Sequence, residues 1–358
     1  MDVRSNRLDA LRRRIPLGSE DAVLVSDLDD IRWLTGFTGS NGWLLLTPTD
    51  SSVVTDGRYA EQARSQTSLP VIEARTTDEM YSSLARNRIR RLHFQTSSTS
   101  VVAFRRLQTV CVEPVDLDLS DLRRTKDAIE VAVMESAARI AETALAEVCP
   151  LIEVGTTERD IRDELEYRMR RLGADGPSYD TIVASGPEHS ARPHHRPTQR
   201  ALRAGDLLVI DVGALVDGYH SDMTRTFVVG EASTEVRAMY ASVLEAQLAG
   251  IATVGPGSAS RDVDEACRRV FRREGREAEF VHGTGHGVGL VIHEEPFLGR
   301  ASTSILRAGD VVTVEPGLYR EGAGGVRIED LLLVTEGGHR LLTSFPKELT
   351  CLPSRPTT

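Results

Sequence analysis

The segment His282–Pro296, HGTGHGVGLVIHEEP, carries histidines at 282, 286 and 293 among glycines and ends in two carboxylates. Imidazoles gathered this densely serve as proton carriers, hydrogen-bond donors or metal ligands. Four acids elsewhere stand where acids are costly. Asp211 interrupts LLVIDVGA, Asp222 lies in HSDMTRTFVV, Glu315 ends VVTVEPG and Glu329 lies in GVRIEDLLLV. A lone charge buried in such a strand is expensive, so each needs a cation or a hydrogen-bond network. Any one of them could pair with a nearby arginine such as Arg225 or Arg327. Four of them with a glycine-flanked histidine make a five-ligand set, and four carboxylates balance two divalent cations. Carboxylates chelate or bridge, which leaves room for a water between the ions. Oxygen donors with a single imidazole favour Mn, Co, Fe or Zn over a copper or thiolate site. Two metals sharing one water make a hydroxide near neutral pH and polarise a carbonyl.

Elements of two kinds must position this set. The first 120 residues alternate short apolar runs with Gly, Pro, Asp and Ser turns. They predict a helix over Asn6–Arg14 and strands over Asp21–Ser26, Gly42–Thr47 and Ser52–Thr55. A helix over Arg58–Ser65 and strands over Pro70–Ala74, Arg91–Phe94 and Thr109–Val112 follow. The texture changes near Asp118–Lys126. Apolar residues Ile129, Ala132, Val133, Ile140, Ala144, Leu145 and Val148 then recur at three and four, predicting a long amphipathic helix. The boundary between domains is placed just before it, giving 1–122 and 123–358. Beyond it, Thr157–Leu172 reads as a helix capped by Thr156 or Thr157. Strands are expected at Asp180–Ala184, Leu207–Val212 and Tyr219–Val229, helices at Thr234–Ile251 and Arg261–Glu274. The end is strand-rich, at Val311–Glu315, Val326–Val334 and His339–Leu342. Hairpins flanked by long helices predict an α+β domain with a curved antiparallel sheet rather than a Rossmann fold.

The bulk properties exclude several classes. A chain of 358 residues with 40% hydrophobic and 27% charged residues reads as globular and large enough for two domains. Its net charge of −10 argues against a nucleic-acid binder. The four cysteines form no CxxC pair, so reduced thiols are expected rather than a disulfide framework. The start lacks an apolar signal region and no run suits a membrane span, so the cytoplasm is the expected compartment.

The ordered motifs IDVGA, SDMTRTF, HGTGHGVGLVIHEEP, VEPG and GVRIEDLLLV resemble those of the pita-bread metallopeptidases: methionine aminopeptidase, prolidase and aminopeptidase P. Near the start, WLTGFTGSNGWLLLT and TDGRYAEQA are similar to the N-terminal domain of bacterial Xaa-Pro peptidases, as are TIVASG, PHHRP and FPKEL further on. Methionine aminopeptidases lack that N-terminal domain. The resemblance implies a pita-bread catalytic domain preceded by a smaller α/β creatinase-like domain, and hydrolysis of Xaa-Pro bonds in peptides with proline second. FPKEL and TDGRY lean toward aminopeptidase P; prolidase, which takes the dipeptide, is the alternative.

The resemblance also implies roles. Asp211 would chelate one metal, Asp222 and Glu329 would bridge, and His286 and Glu315 would complete the second. Glu315 would exchange protons. His194, His282 and His293 would hydrogen-bond the substrate carbonyl, stabilise the tetrahedral intermediate and orient the proline. Arg327 would meet a substrate carboxylate or salt-bridge a neighbouring acid. The ions would be manganese first, with cobalt or zinc possible, and the protein a homodimer. His189 and His195 are expected at the surface, His220 behind the metal ligands, and Glu294 and Glu295 outside the site. A creatinase-like enzyme without metals, or an inactive binding relative, would be expected to lack part of the ligand set that this chain retains.

Overall fold

The computed structural model describes residues 3–85, 89–111 and 113–354. The chain divides into two compact units, Met1–Arg123 and Arg124–Thr358.

The first unit is built on one six-stranded sheet. Side by side run Val71–Glu73, Ser51–Thr55, Trp43–Leu46, Asp21–Val25, Arg91–Phe94 and Glu113–Asp116. Asp21–Val25, Trp43–Leu46 and Ser51–Thr55 pair antiparallel, and the flanking strands pair parallel. Parallel pairing needs crossovers, and short helices supply them. Three of the unit's helices, Leu28–Thr35, Thr77–Ala85 and Val101–Leu107, are too short to show a periodicity in the sequence. Their signals are local. Asp27 caps the first by accepting from the amides of Asp29 and Asp30, and Ser100 caps the third. The strand expected at Thr109–Val112 lies instead at Glu113–Asp116, because turns after the third helix occupy Thr109 and Val110; Val112 lies outside the described residues. Ala22, Leu24, Leu45, Leu92 and Phe94 form the core on the sheet.

The second unit opens with the helix Ala128–Val148. Asp127 and Glu130 close a capping box at its start. Its buried stripe runs through Val131, Met134, Ala138, Ala141, Leu145 and Val148. The stripe expected from Ile129 and Ala132 is therefore displaced: Ile129 is 62% exposed and Ala132 is also exposed. Small alanines, rather than the bulkiest residues, mark the packed face. The helix Glu158–Arg171 has a second capping box, from Thr157 and Asp160. Helices Thr234–Thr253 and Ser260–Arg273 pack on each other.

Two main sheets face these helices. One sets Thr350–Leu352, Thr224–Val229, Leu207–Asp211 and Ile182–Ser185 side by side; the other sets Glu294–Leu298, Gly285–Gly287, Val311–Val314, Asp330–Thr335 and Gly338–Leu341. Every pairing is antiparallel except that of Thr350–Leu352 with Thr224–Val229. Two strands expected to be continuous are broken. Tyr219–Val229 is interrupted at 221–223, and Val326–Val334 at 328–329. The interruptions hold Asp222 and Glu329. At these points the chain leaves the ladder, and the two acids reach a cavity instead of a sheet face.

Candidate metal centre

Each acid sits at a strand end or a strand break. Asp211 closes the strand Leu207–Asp211, directly opposite Thr224. The small hairpin between them folds Asp222 back beside Asp211, and Val212 donates to the Met223 carbonyl at 2.9 Å. Glu329 donates its amide to the Thr224 carbonyl at 3.1 Å, and its carboxylate accepts the Thr224 hydroxyl at 2.7 Å. Pairing of Val314 with Asp330 places Glu315 beside Glu329. His286 is the middle residue of Gly285–Gly287, whose flanking glycines are required by close approach. A Cβ on Gly285 would lie 2.1 Å from the Thr313 oxygen, and one on Gly287 2.5 Å from the Glu295 oxygen.

The five residues line one cavity of about 440 Å³. Asp222 and Glu329 are buried, with ligand atoms of Asp222, His286 and Glu329 within 4.8 Å of one another. His286 Nε2 lies 3.6 Å from Asp222 and 3.5 Å from Glu315. Burial first, then mutual repulsion with Asp211, raises the Asp222 carboxyl well above its usual range. Glu329 is raised likewise by burial and by Asp222 and Glu315. Burial pushes Glu315 up to about 8, against the opposing pull of Arg327. Burial also lowers His286 to about 4.

These residues fit divalent cations on two structural grounds. His286 Nδ1 lies 3.0 Å from the Gly287 carbonyl, so that nitrogen carries the proton. The lone pair of Nε2 then faces two carboxyl groups, an arrangement that is repulsive unless a shared proton or a cation lies between. The second ground is Tyr179. Its hydroxyl bonds both Asp211 and, at 2.5 Å, Asp222. One O–H can donate to only one acceptor at a time, so the acid pair is short of positive charge.

The surrounding shell is fully engaged. Arg327 is buried and donates to Asp211 at 2.6 Å, to Thr224 Oγ1 at 3.1 Å, and to the Pro193 carbonyl and the Tyr319 hydroxyl at 2.9 Å each. Burial works against its charge, yet Tyr319, Asp211 and Glu315 hold the guanidinium protonated more firmly than usual. Arg327 thus braces Asp211, with four of its five N–H donors committed. His282 is held in the same chain. Its Nε2 lies 2.9 Å from Tyr319 Oη and its Nδ1 2.8 Å from the Gly283 carbonyl. Burial and the Arg327 charge lower it to about 4. His293 is exposed, lines the cavity and meets His286 edge to face at 4.4 Å. His194 is exposed and lines the cavity beside Pro193. Ile182, Ile292, Phe297 and Leu298 give the cavity an apolar wall.

Two expectations change. His195 is buried and His189 half-buried, and both contact Glu158, so neither is a surface histidine. Glu294 stands outside the ligand set as expected, but it is no bystander in the packing: Lys126 Nζ reaches it at 2.5 Å. His220 bonds Ser178 at 2.8 Å, next to Tyr179. Tyr179, Tyr319 and Thr224 were not singled out from the sequence. The only available signals were SYDTIVASG, GLYR and the threonine two residues after Asp222.

Comparison with known proteins agrees with this geometry. Residues 132–336 match the model of metallopeptidase family M24, and residues 7–125 that of the creatinase/prolidase N-terminal domain. The Xaa-Pro dipeptidase of Pyrococcus furiosus is 35% identical, over 96% of this chain and 99% of that protein. The structure of an Xaa-Pro dipeptidase from Bacillus anthracis superposes with a TM-score of 0.93 at 35% identity, covering 98% of this chain and all of that one (100%). The X-Pro aminopeptidase from Thermotoga maritima gives 0.90 at 32% identity, covering 98% and 100%.

Proposed function

This chain belongs to metallopeptidase family M24, and we propose that it hydrolyses the bond between an N-terminal residue and a following proline. Its catalytic unit has the family's pita-bread fold, preceded in sequence by the creatinase/prolidase N-terminal domain. The observation that carries the reading is the cluster of buried carboxylates around the bare Nε2 of His286, at a cavity with one apolar wall. Asp211, Asp222, His286, Glu315 and Glu329 would hold two divalent cations, manganese first and cobalt or zinc as substitutes. Such a pair, when bound, supplies a hydroxide at neutral pH and polarises the scissile carbonyl.

The remaining chemistry falls to the chain itself. An Xaa-Pro bond is a tertiary amide whose nitrogen has no hydrogen, so it must be bound without an N–H contact and protonated as it leaves. Glu315 would take the proton from the attacking water and deliver it to that nitrogen. His194 and His293, both at the cavity wall, would donate to the carbonyl oxygen as charge builds there. His282 would act through its fixed contact with Tyr319. Ile182, Ile292, Phe297 and Leu298 would receive the proline ring.

Oligopeptide substrates are the first reading. The cavity shares His282, Gly283, Phe297 and Gly299 with an adjoining open groove of about 940 Å³, which gives room for residues beyond the proline. The dipeptidase reading is equally supported by the named relatives. A panel of Xaa-Pro, Xaa-Pro-Zaa and Xaa-Ala-Zaa peptides with the chelated protein and added Mn, Co or Zn tests all of this. Release of Xaa from Xaa-Pro-Zaa supports the aminopeptidase, and turnover of the dipeptide alone supports prolidase. Full activity after exhaustive chelation would overturn the metal-dependent reading. We also place the protein in the cytoplasm, as a homodimer. No described helix is long and apolar enough to cross a membrane.

A further inference from the structure

We propose that Glu158 is a positioning residue for His194, acting through His195 and Thr198; this rests on the reading that His194 meets the substrate. Glu158 is the first residue of the helix Glu158–Arg171, is fully buried and does not line the cavity. Its Oε1 accepts from the Ser185 amide at 2.9 Å, the Ser185 hydroxyl at 2.7 Å and His189 Nδ1 at 2.8 Å. Its Oε2 accepts from His195 Nε2 at 3.0 Å, the Thr198 amide at 3.0 Å and the Thr198 hydroxyl at 2.8 Å. Burial pushes this carboxyl up, but the donors together outweigh it and hold Glu158 at about 2.

The segment between these anchors has no regular ladder from Ser190 to Arg200, so side chains must fix it. Its fixings bracket His194. On one side, the Pro193 carbonyl accepts from Arg327, whose other nitrogen holds Asp211. On the other, His195 and Thr198 are clasped by Glu158. The rings of His189 and His195 stack at 4.1 Å, and the Arg159 amide donates to the Thr198 carbonyl at 3.1 Å. The imidazole at 194 therefore projects from a short span tied at both ends, one end to a metal-site acid and the other to Glu158.

The ligand atoms of Glu158, His189 and His195 lie within 4.8 Å of one another, a spacing that would suit a metal ion. The hydrogen bonds exclude that use. Each Glu158 oxygen already has three donors, and a cation would have to displace Ser185 and Thr198 as well as both histidine protons. The arrangement is a clasp.

Glu158→Gln keeps the shape but turns donors against an NH2 group. It should accelerate hydrogen exchange across residues 191–198 by about tenfold or more, with the rest of the catalytic unit and the bound metal unchanged. On an Xaa-Pro-Zaa peptide it should lower kcat by about tenfold or more and move KM little, since a small misplacement of a catalytic group is costly. In a His194→Ala background the same change should cost less than about twofold, because Glu158 would then have nothing left to position. Multiplicative losses in the double variant, or unaltered exchange at 191–198, would overturn the proposal. If Glu158→Gln does not fold, His195→Phe should reproduce its effects and His195→Gln, which restores a donor, should recover most of kcat; equal behaviour of the two would also overturn it. A wild-type protein that cleaves no Xaa-Pro peptide would sink the functional reading, while the exchange comparison would still decide whether Glu158 holds this loop.

Discussion

Replacing Asp222 by asparagine separates a binding role from a structural one by the sign of its effect on stability. In the metal-free protein the Asp222 carboxylate is buried beside Glu329, with ligand atoms within 4.8 Å. Two full charges at that distance repel by about 3 kcal/mol at an effective dielectric of about 20. Protonation of one partner relieves part of this at neutral pH, so the amide should stabilise the chelated protein by about 1–3 kcal/mol, or roughly 3–8 °C in melting temperature. The folded state raises the Asp222 pKa, so it binds the proton more tightly than the unfolded chain does. The penalty is therefore present above the ordinary carboxylate range and disappears below it. The advantage of the amide should shrink as pH falls toward about 4. With manganese at 1,000 times its Kd, the wild-type protein gains about 4.1 kcal/mol that the variant largely forfeits. The order of the two melting temperatures should then reverse, and peptidase activity should be lost. Calorimetry in chelator and in manganese, from pH 4 to 8, reads all of it. An Asp222→Asn protein no more stable than wild type in chelator, or one with normal turnover, would refute the reasoning.

Three further outcomes follow from the same geometry. Glu315→Gln should lower kcat on Xaa-Pro-Zaa by about 10²–10⁴ with little change in KM, measured by steady-state kinetics at saturating metal, because with the metals loaded it removes the proton carrier and not the pocket. Tyr179→Phe takes the shared hydroxyl from Asp211 and Asp222. It should weaken metal binding by about 10–100-fold in a metal titration, as loss of a group behind metal ligands does. Arg225 is 2% exposed and joins Asp330 at 2.7 Å to the carbonyls of Phe345 and Pro346. Arg225→Met should cost about 3 kcal/mol in urea unfolding, since it leaves the buried Asp330 with Lys347 as its one paired cation beside the donors Gln247 and Thr343; a loss below about 1 kcal/mol would show that the ion pair contributes little.

The acids that line the cavity were legible because they violate a local rule. A carboxylate inside LLVIDVGA or GVRIEDLLLV has a cost that any reader of the sequence can see, and a costly residue needs a reason. Glycine beside His286 was legible for the same cause. The groups that brace the site break no rule. Tyr179, Tyr319 and Thr224 are ordinary in strands and turns, and Glu158 at the start of a helix reads as a favourable first-turn acid. Their roles come from tertiary approach, which spacing does not encode. The long helix shows the same limit: its period was visible, but its packed face follows alanines chosen by neighbouring surfaces, leaving Ile129 outside. Strand breaks at Asp222 and Glu329 were hidden because apolar residues continue across them, so the runs read as single strands.

The metal reading finally rests on a contrast within the catalytic unit. Most of its other buried acids have a cation or several donors, and Glu130 has the Asp127 amide and the Tyr219 hydroxyl. Asp310 has Arg124 at 2.6 Å, Asp264 has Arg268 at 2.7 Å, Asp206 has Arg200 at 2.6 Å, and Asp330 has Arg225 and Lys347 at 2.7 Å each. Glu158 has six donors. This chain can therefore neutralise a buried carboxylate wherever structure alone demands it. At the cavity it does the reverse. Asp222, Glu315 and Glu329 are set against one another, the guanidinium that lines the cavity binds Asp211, and the adjacent imidazole turns its unprotonated nitrogen toward the acids. A fold that pairs its acids elsewhere and crowds them here has left the missing positive charge to be supplied from solution. Three carboxylates beyond the Arg327–Asp211 pair are more negative charge than one divalent ion balances, which favours a site for two.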